Sequence, residues 1–279
     1  MIIDVPEEHR REFELNIHTA LRDVAGIANS VFHPFISDKH AISEVFDKVQ
    51  SVLSREFSDF CASKLRFFPK RFRLLDQPRF VHIDLAVSAD STGIACGYVS
   101  SFVRMKRGED VYEILPRIVF DFILEVPPPQ GGEINFAKIR SSLYKLRDYG
   151  LPIEWATLDS YQSTDTQQLL RQKGFCTGTQ STVKDPRPDD FLKTAILDRR
   201  VYLPSHRKAQ RELTLLERDQ RTGKVDHPPR GSKDIADAIA CVVFGLTRMR
   251  KVWWNHKIPP DKIPKNVLRA LNFVSETRN

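Results

Sequence analysis

The spacing of apolar residues changes character along the chain. In residues 1–63 apolar positions recur every three or four residues, first in PEEHRREFELNIHTALRDVAGIA and then in DKHAISEVFDKVQSVLSREF. This spacing predicts two amphipathic helices, and no alternation typical of a strand occurs there. The stretch 63–80 contains prolines at positions 69 and 78 and several basic residues. It therefore predicts a boundary.

Beyond this boundary the apolar runs become short and rich in β-forming residues. FVHIDLAVSAD, STGIACGYVSSFVRM and VYEILPRIVFDFILEV predict three consecutive strands joined as hairpins. Helix and strand patterns then alternate: a helix at 135–148, a strand in IEWATLDS, a helix in STDTQQLLRQKGF, a helix at 189–198, a short strand in RRVYLP, a helix in RKAQRELTLLERDQ and a closing helix in KDIADAIACVVFGLTRMR. The order predicts a mixed α/β fold, with antiparallel-connected strands followed by parallel ones and flanked by helices.

Composition limits the class of protein without identifying it. Apolar residues make up 41% of the 279 residues, which is enough for a sizeable core. No run approaches the roughly 18 apolar residues of a membrane span, and the first residues lack the pattern of a secretory signal. We therefore expect a soluble protein without a membrane partner. The net charge of +7 suits a polyanionic partner but does not establish one.

Four aspartates occupy unusual positions in these predicted elements. Asp84 lies within the apolar run FVHIDLAV, Asp159 ends the strand IEWATLD, and Asp234 and Asp237 open the closing helix. Each has an ordinary explanation as well, namely an arginine partner, a turn, or a favourable interaction with the helix dipole. Strand ends and a helix start can, however, meet at one edge of a sheet.

Carboxylates that converge in this way could all stay ionised only with a cation between them, or else some of them would take up protons. Two carboxylates about 4 Å apart repel by roughly 4 kcal/mol at an effective dielectric near 20. Carboxylate oxygens without histidine or cysteine clusters favour Mg²⁺ or Mn²⁺, and two such ions could hydrolyse a phosphodiester. Asp90, His227 and Lys233 are secondary candidates. The more ordinary explanations are a turn for Asp90, a surface loop for His227 and a solvated side chain for Lys233.

Several segments together resemble the nuclease domain of tailed-phage large terminase subunits. They are HIDLAVSADSTGIACGYV, TLDSYQSTDTQQLLRQKGF, RELTLLERDQRTGKVDHP and GSKDIADAI, in this order, and they cover about residues 78–248. PEEHRREFELNIHTALRDVAGIA looks like the segment that joins the terminase motor to its nuclease. The resemblance implies three regions: an N-terminal helical linker (1–77), an RNase H-like nuclease domain (78–250) and a C-terminal tail (251–279).

The same resemblance implies a function and a set of site residues. The function is endonucleolytic cleavage of double-stranded concatemeric viral DNA during genome packaging, with two metal ions. Asp84 and Asp159 would be metal ligands, and Asp237 would be the helix ligand, with Asp234 as its neighbour or co-ligand. The choice between Asp234 and Asp237 stays open, because family members differ at this motif.

One part of a large terminase is missing from the sequence. A packaging ATPase requires a GxxxxGK[ST] phosphate loop, and the chain contains none. We therefore expect the C-terminal part of a longer protein, with no nucleotide cofactor and no ATPase activity. In the full motor, the resemblance implies the portal and the small terminase subunit as partners, in the host cytoplasm.

Basic residues are grouped in two places and could follow a phosphate backbone. The candidate DNA contacts are Lys70, Arg71, Arg199, Arg200, Arg207, Lys208 and Arg211. A solvated face or a protein contact would explain each group as well. No base-reading helix is evident, so we expect weak sequence preference and strong salt dependence. Two rival functions stay open: another RNase H-like nuclease, such as a junction resolvase or transposase, and a non-catalytic DNA- or portal-docking module.

Overall fold

A mixed β-sheet forms the centre of the structure, a computed structural model that describes residues 5, 7–10, 34–60, 65–86, 90–159, 163–219, 222–228 and 231–264. Its strands are β1 (Arg79–Asp84), β2 (Thr92–Lys106), β3 (Tyr112–Val126), β4 (Ile153–Leu158), β5 (Cys176–Thr179) and β6 (Val201–Tyr202). Their order in the sheet is β5–β4–β1–β2–β3–β6. A separate two-stranded ribbon pairs β7 (Glu217–Arg218) with β8 (Val225–Asp226).

Helices cover both faces of the sheet. The described helices are α1 (Lys39–Val45), α2 (Phe136–Asp148), α3 (Thr164–Gln172), α4 (Arg187–Leu197), α5 (Arg207–Leu215), α6 (Asp234–Arg248) and α7 (Arg250–Asn255), with short 3-10 turns at Glu7–His9, Pro69–Arg71 and Pro260–Lys262. One core cluster joins the sheet to α1, α4, α5 and α6, and a second joins it to α2 and α3. None of the described helices has the length and apolar character needed to cross a bilayer.

The sheet confirms the predicted mixed topology. β1, β2 and β3 pair antiparallel in chain order, whereas β4 pairs parallel with β1, β5 with β4 and β6 with β3. Three hairpin-connected strands followed by parallel ones are the arrangement expected of the RNase H-like prediction. The carboxyl ends of β1 and β4 therefore lie side by side at one edge of the sheet.

Helix α6 lies directly on the sheet, and its sequence explains why. Its residues from Ile235 to Thr247 are all buried, as an almost wholly apolar helix requires. The ring of Phe80 on β1 occupies the space where Gly245 would carry a side chain. A small residue at this position therefore lets the helix axis approach β1 closely.

The prediction of two N-terminal helices was wrong for most of the second one. Helix α1 ends at Val45, and residues 46–60 form isolated bridges instead, including Val49 to Pro204 and Phe57 to Glu125. The amide of Val52 donates to the carbonyl of Asp121 at 2.9 Å. Pairing with the sheet satisfies backbone groups that a local amphipathic pattern cannot anticipate. Most of the first predicted helix, which spans residues 6–28, lies outside the described residues.

The start of the tail, which carried no sequence assignment, packs through one of its two tryptophans. Trp253 on α7 is fully buried, and its indole N–H donates to the carbonyl of Thr247 at 2.8 Å. Trp254 is 59% exposed. Residues 265–279 of the tail lie outside the described residues.

Candidate metal centre

The register of the sheet places Asp84 and Asp159 next to each other. Ile83 pairs with Leu158 across the parallel strands β1 and β4, and the two aspartates each follow one residue later. Adjacent strands lie about 4.8 Å apart. The two carboxylates therefore extend from neighbouring backbones at the same sheet edge.

Gly93 on β2 brings the first turn of α6 to this edge. It is the direct partner of Asp84 in the antiparallel pair. A Cβ atom built on Gly93 would overlap the carbonyl of Asp234, with 2.6 Å to its carbon atom. Since only a residue without a side chain permits this approach, Gly93 allows Asp234 and Asp237 to lie close to Asp84.

The electrostatics show that the four aspartates act on one another. Burial raises the pKa of Asp84 well above its ordinary value. The charges of Asp237, Asp234 and Asp159, in that order, raise this pKa further, and Lys233 lowers it. Carboxylates that destabilise each other's charged form in this way favour a cation between them.

Asp237 is the more deeply buried of the two helix acids. Burial raises its pKa, and the ammonium of Lys233, 3.2 Å from its Oδ2, opposes the rise. Lys233 is itself 8% exposed and also donates to the carbonyl of Val225 at 3.2 Å. Lys233, a secondary candidate in the sequence, thus forms an ion pair with one oxygen of Asp237.

Sequence reasoning missed Asp189, a buried carboxylate in the first turn of α4. It is 2% exposed, and burial followed by the charge of Asp237 raises its pKa to about 8. Lys233 opposes this rise, which places Asp189 within electrostatic reach of the same lysine. Asp189 lies in a stretch of ordinary helix-start acids, so its sequence context carried no distinguishing signal.

Glu125 is a second residue that sequence reasoning missed. It pairs with Gly93 on the side away from Asp84, so Asp84, Gly93 and Glu125 form one row across three strands. The ammonium of Lys208 lies 2.7 Å from Oε1 of Glu125 and 4.0 Å from Oδ2 of Asp234. A glutamate just before the last residue of the apolar run VFDFILEV was the signal available in the sequence. Lys208, a candidate DNA contact, lies among these acids.

Buried oxygen atoms without hydrogen bonds make the centre suitable for a hard cation. Oδ1 of Asp237, Oδ2 of Asp234 and Oδ2 of Asp189 are buried and have no hydrogen-bond partner within the described part of the chain. Such atoms are costly unless an ion or a proton satisfies them. Among the described residues, no three acidic, histidine or cysteine side chains have the spacing of a preformed metal cage.

The remaining secondary candidates occupy different places. Asp90 is exposed, but its charge raises the pKa of Asp234, so it lies at the margin of the centre. His227 is half-buried, and its ring nitrogens lie 2.9 Å from the carbonyl of Pro228 and 3.7 Å from Asp226. The contacts described for His227 are therefore to its own loop and not to the four aspartates.

The basic candidates divide by exposure. Arg200 is only 2% exposed and is bound to Asp198 and to the carbonyl of Pro116, so its guanidinium is unavailable to a phosphate backbone, contrary to the prediction. Arg199 is engaged with acidic residues of the α1 region. Arg71 donates to the carbonyl of Ser51 and stacks on Phe68. The candidates that remain largely exposed are Lys70, Arg207 and Arg211.

Solved structures with low sequence identity are similar to the chain as a whole. The chain is similar to the large terminase nuclease from thermophilic phage G20c, with 11% identity and a TM-score of 0.49 over 75% of this chain and 97% of that chain. The magnesium-bound form of that nuclease gives 12% identity and a TM-score of 0.49, over 76% and 97% of the two chains. The HK97 bacteriophage large terminase gives 13% and 0.44, over 75% of this chain and 43% of the other. Neither a protein-family model nor a curated protein matches the sequence.

Proposed function

We propose that this chain is a divalent-metal-dependent endonuclease that cleaves double-stranded DNA. The observation that carries the proposal is the meeting of four aspartates from β1, the end of β4 and the first turn of α6. Two of their buried oxygens, Oδ2 of Asp234 and Oδ1 of Asp237, have no hydrogen-bond partner among the residues that the structure describes. A purely structural set of acids would be paired with cationic groups or capped by backbone amides. Here Lys233 binds Oδ2 of Asp237 and not its Oδ1, and the ammonium of Lys208 lies 4.0 Å from Oδ2 of Asp234.

Mg²⁺ or Mn²⁺ fits this set of donors, because hard oxygens are the ligands both ions prefer. Asp84 and Asp159 would hold the ion from the sheet, and Asp237 would hold it from α6. Bound there, one or two such ions would supply an activated water and stabilise the charge on the scissile phosphate. The cleavage by two ions is part of the proposal.

Of the two helix acids, Asp237 is the one we assign as the principal ligand. Lys233 lies 3.2 Å from its Oδ2, and its Oδ1 is buried without a hydrogen-bond partner among the described residues. Asp234 faces the Lys208 side, where it can serve a second ion. Each lysine also lowers the repulsion among the carboxylates before an ion arrives.

The DNA would lie across the exposed basic residues near this centre. Arg207 and Arg211 project from α5, the helix that also carries Lys208 into the acidic row. Phosphate contacts of this kind carry no sequence information and are weakened by salt. We expect duplex binding that falls steeply between about 50 and 200 mM salt and that depends little on sequence.

The motif resemblance supplies the biological setting of this proposal. It assigns the cleavage to concatemeric viral DNA during genome packaging in the host cell, with an ATPase motor, the portal and the small terminase subunit as partners. The chain itself contains no phosphate loop for such a motor.

A plasmid assay with Mg²⁺ or Mn²⁺ tests the proposal. We expect the wild-type chain to nick or linearise the plasmid, and Asp84→Ala to be inactive while it stays folded and binds duplex DNA. Undiminished cleavage by Asp84→Ala would remove this residue from the mechanism. A preference for four-way junctions over plain duplex would favour the resolvase alternative, and binding without cleavage would favour a docking module.

Calorimetry with Mn²⁺ tests the ligand assignment separately. Asp237→Asn is expected to weaken ion binding more than Asp90→Asn, since Asp90 is exposed at the margin of the centre. Equal losses for the two variants would contradict the assignment of Asp237.

A further inference from the structure

The start of α6 is held by a carboxylate from another helix. The residue before the helix, Lys233, makes no side-chain cap, although the first amides of a helix need acceptors. Oε2 of Glu212 on α5 accepts both of the next free amides, from Ile235 at 3.0 Å and from Ala236 at 2.9 Å. The cap therefore comes from a residue more than twenty positions earlier in the chain.

Both oxygens of this glutamate are used. Its Oε1 accepts the hydroxyl of Ser232 at 2.7 Å and lies 3.8 Å from the ammonium of Lys208. The side chain is 4% exposed. A carboxylate this deeply buried is rare unless its partners are specific. Here the groups that donate hydrogen bonds to it belong to the start of α6 or to Ser232 just before it.

The position of the two capped amides is what connects Glu212 to the metal centre. Ile235 and Ala236 are the residues between Asp234 and Asp237, so Glu212 is hydrogen-bonded to the segment that carries both helix acids. On the opposite side the same turn rests on Gly93 without space for a Cβ atom. The first turn of α6 is thus clamped between Glu212 and β2, and release of either side would let both carboxylates move relative to Asp84.

We propose that Glu212 is a positioning residue of the metal centre, which fixes Asp234 and Asp237 through the backbone amides between them. This inference rests on the proposed nuclease function. Glu212 does not touch the substrate or the ion. Its contribution is geometric, because a helix turn that frays at its start displaces side chains by several ångströms.

Two variants of Glu212 separate geometry from charge. Glu212→Gln keeps an oxygen that can accept from both amides, and its NH₂ group can face the Ser232 hydroxyl, which is also an acceptor. Glu212→Ala removes the cap entirely. Glu109→Ala, in the exposed loop between β2 and β3, is the matched control for loss of a glutamate.

The measurement is Mn²⁺ affinity of the full chain by calorimetry, in the absence of DNA, together with hydrogen exchange at Ile235 and Ala236. We expect Glu212→Ala to bind Mn²⁺ about tenfold or more weakly and its two amides to exchange faster, because supporting residues of metal sites typically contribute 10–100-fold. Glu212→Gln and the control are expected to stay within about threefold of wild type. For comparison, kcat should fall in Glu212→Ala with little change in the KM for DNA.

Several outcomes would overturn the proposal. Wild-type Mn²⁺ affinity in a less stable Glu212→Ala would make the residue merely structural, and a Glu212→Gln variant as weak as the alanine variant would show that charge and not the cap matters. If the alanine variant does not fold, Glu212→Asp, which is one methylene shorter, must show the same loss. If the wild type itself does not bind Mn²⁺, the proposed nuclease function is contradicted. This result differs from those that contradict only the role of Glu212.

Discussion

Replacing Asp84 by asparagine should change the free energy of unfolding in opposite directions in the metal-free and the metal-bound protein. Asp84 and Asp159 lie on adjacent strands about 4.8 Å apart, and two charges at that distance repel by about 3 kcal/mol at an effective dielectric near 20. Burial and the neighbouring charges raise the pKa of Asp84, so its ionised form is disfavoured in the folded protein. We therefore expect Asp84→Asn to stabilise the metal-free protein by about 1–2 kcal/mol near pH 8.

The opposite order is expected once Mn²⁺ is present. An ion that binds only the folded protein stabilises it by about 2.7 kcal/mol at a concentration one hundred times its Kd. Wild type should gain this stability. Asp84→Asn should gain less, because it lacks one of the two carboxylates, Asp84 and Asp159, that the adjacent strands supply. The stability curves of the two proteins should therefore cross as Mn²⁺ is added, and DNA cleavage should be lost in the variant.

Urea unfolding followed by tryptophan fluorescence can measure both effects. Trp155 and Trp253 are buried, so their emission reports unfolding. Asp110→Asn, at an exposed position of the β2–β3 loop, should change neither the metal-free stability nor the gain from Mn²⁺. A metal-free Asp84→Asn that is less stable than wild type, or one that gains as much from Mn²⁺, would refute the reasoning.

Three further predictions follow from the same centre. Gly93→Ala should destabilise the fold by about 1–3 kcal/mol and lower Mn²⁺ affinity, because its Cβ meets the Asp234 backbone; an unchanged calorimetric Kd would show that α6 can shift freely. Lys208→Met should raise Mn²⁺ affinity several-fold, since it removes the ammonium from Glu125 and Asp234, and unchanged or weaker binding would show that the lysine does not compete with the ion. Burial raises the pKa of Asp189 from 3.8 to about 8. Between these two pH values the carboxyl of Asp189 is ionised in the unfolded chain and largely protonated in the folded one, so stability falls as the pH rises. The metal-free protein should therefore lose about 2 kcal/mol of stability between about pH 6.5 and 8.5. Denaturation in EDTA at several pH values measures this, and Asp189→Asn should flatten the curve; a flat wild-type curve would contradict the shift.

The sequence alone determined the elements and the residue types of the candidate centre. Apolar alternation and helical spacing are local properties, so they identified β1 to β4 and the closing helix α6, and an acid within a buried run stood out because burial of an unpaired charge is costly. Asp84 could be named in this way, whereas Asp159 was named from its place at a strand end and Asp234 and Asp237 from theirs at a helix start. Local pattern also failed, at residues 46–60, where pairing with the sheet replaced the predicted helix.

Only the tertiary structure decided how these residues are held. The Asp84–Gly93–Glu125 row is a matter of strand register, and the roles of Asp189 and Glu212 depend on which helix each one faces across the core. Arg200 could not be told from an exposed arginine in the sequence, because its burial depends on Asp198 and the backbone of β3. Charge and periodicity are local properties that can be read from the sequence. Burial, strand register and tertiary helix caps depend on contacts between segments far apart in the chain, and a single sequence does not show which segments are in contact.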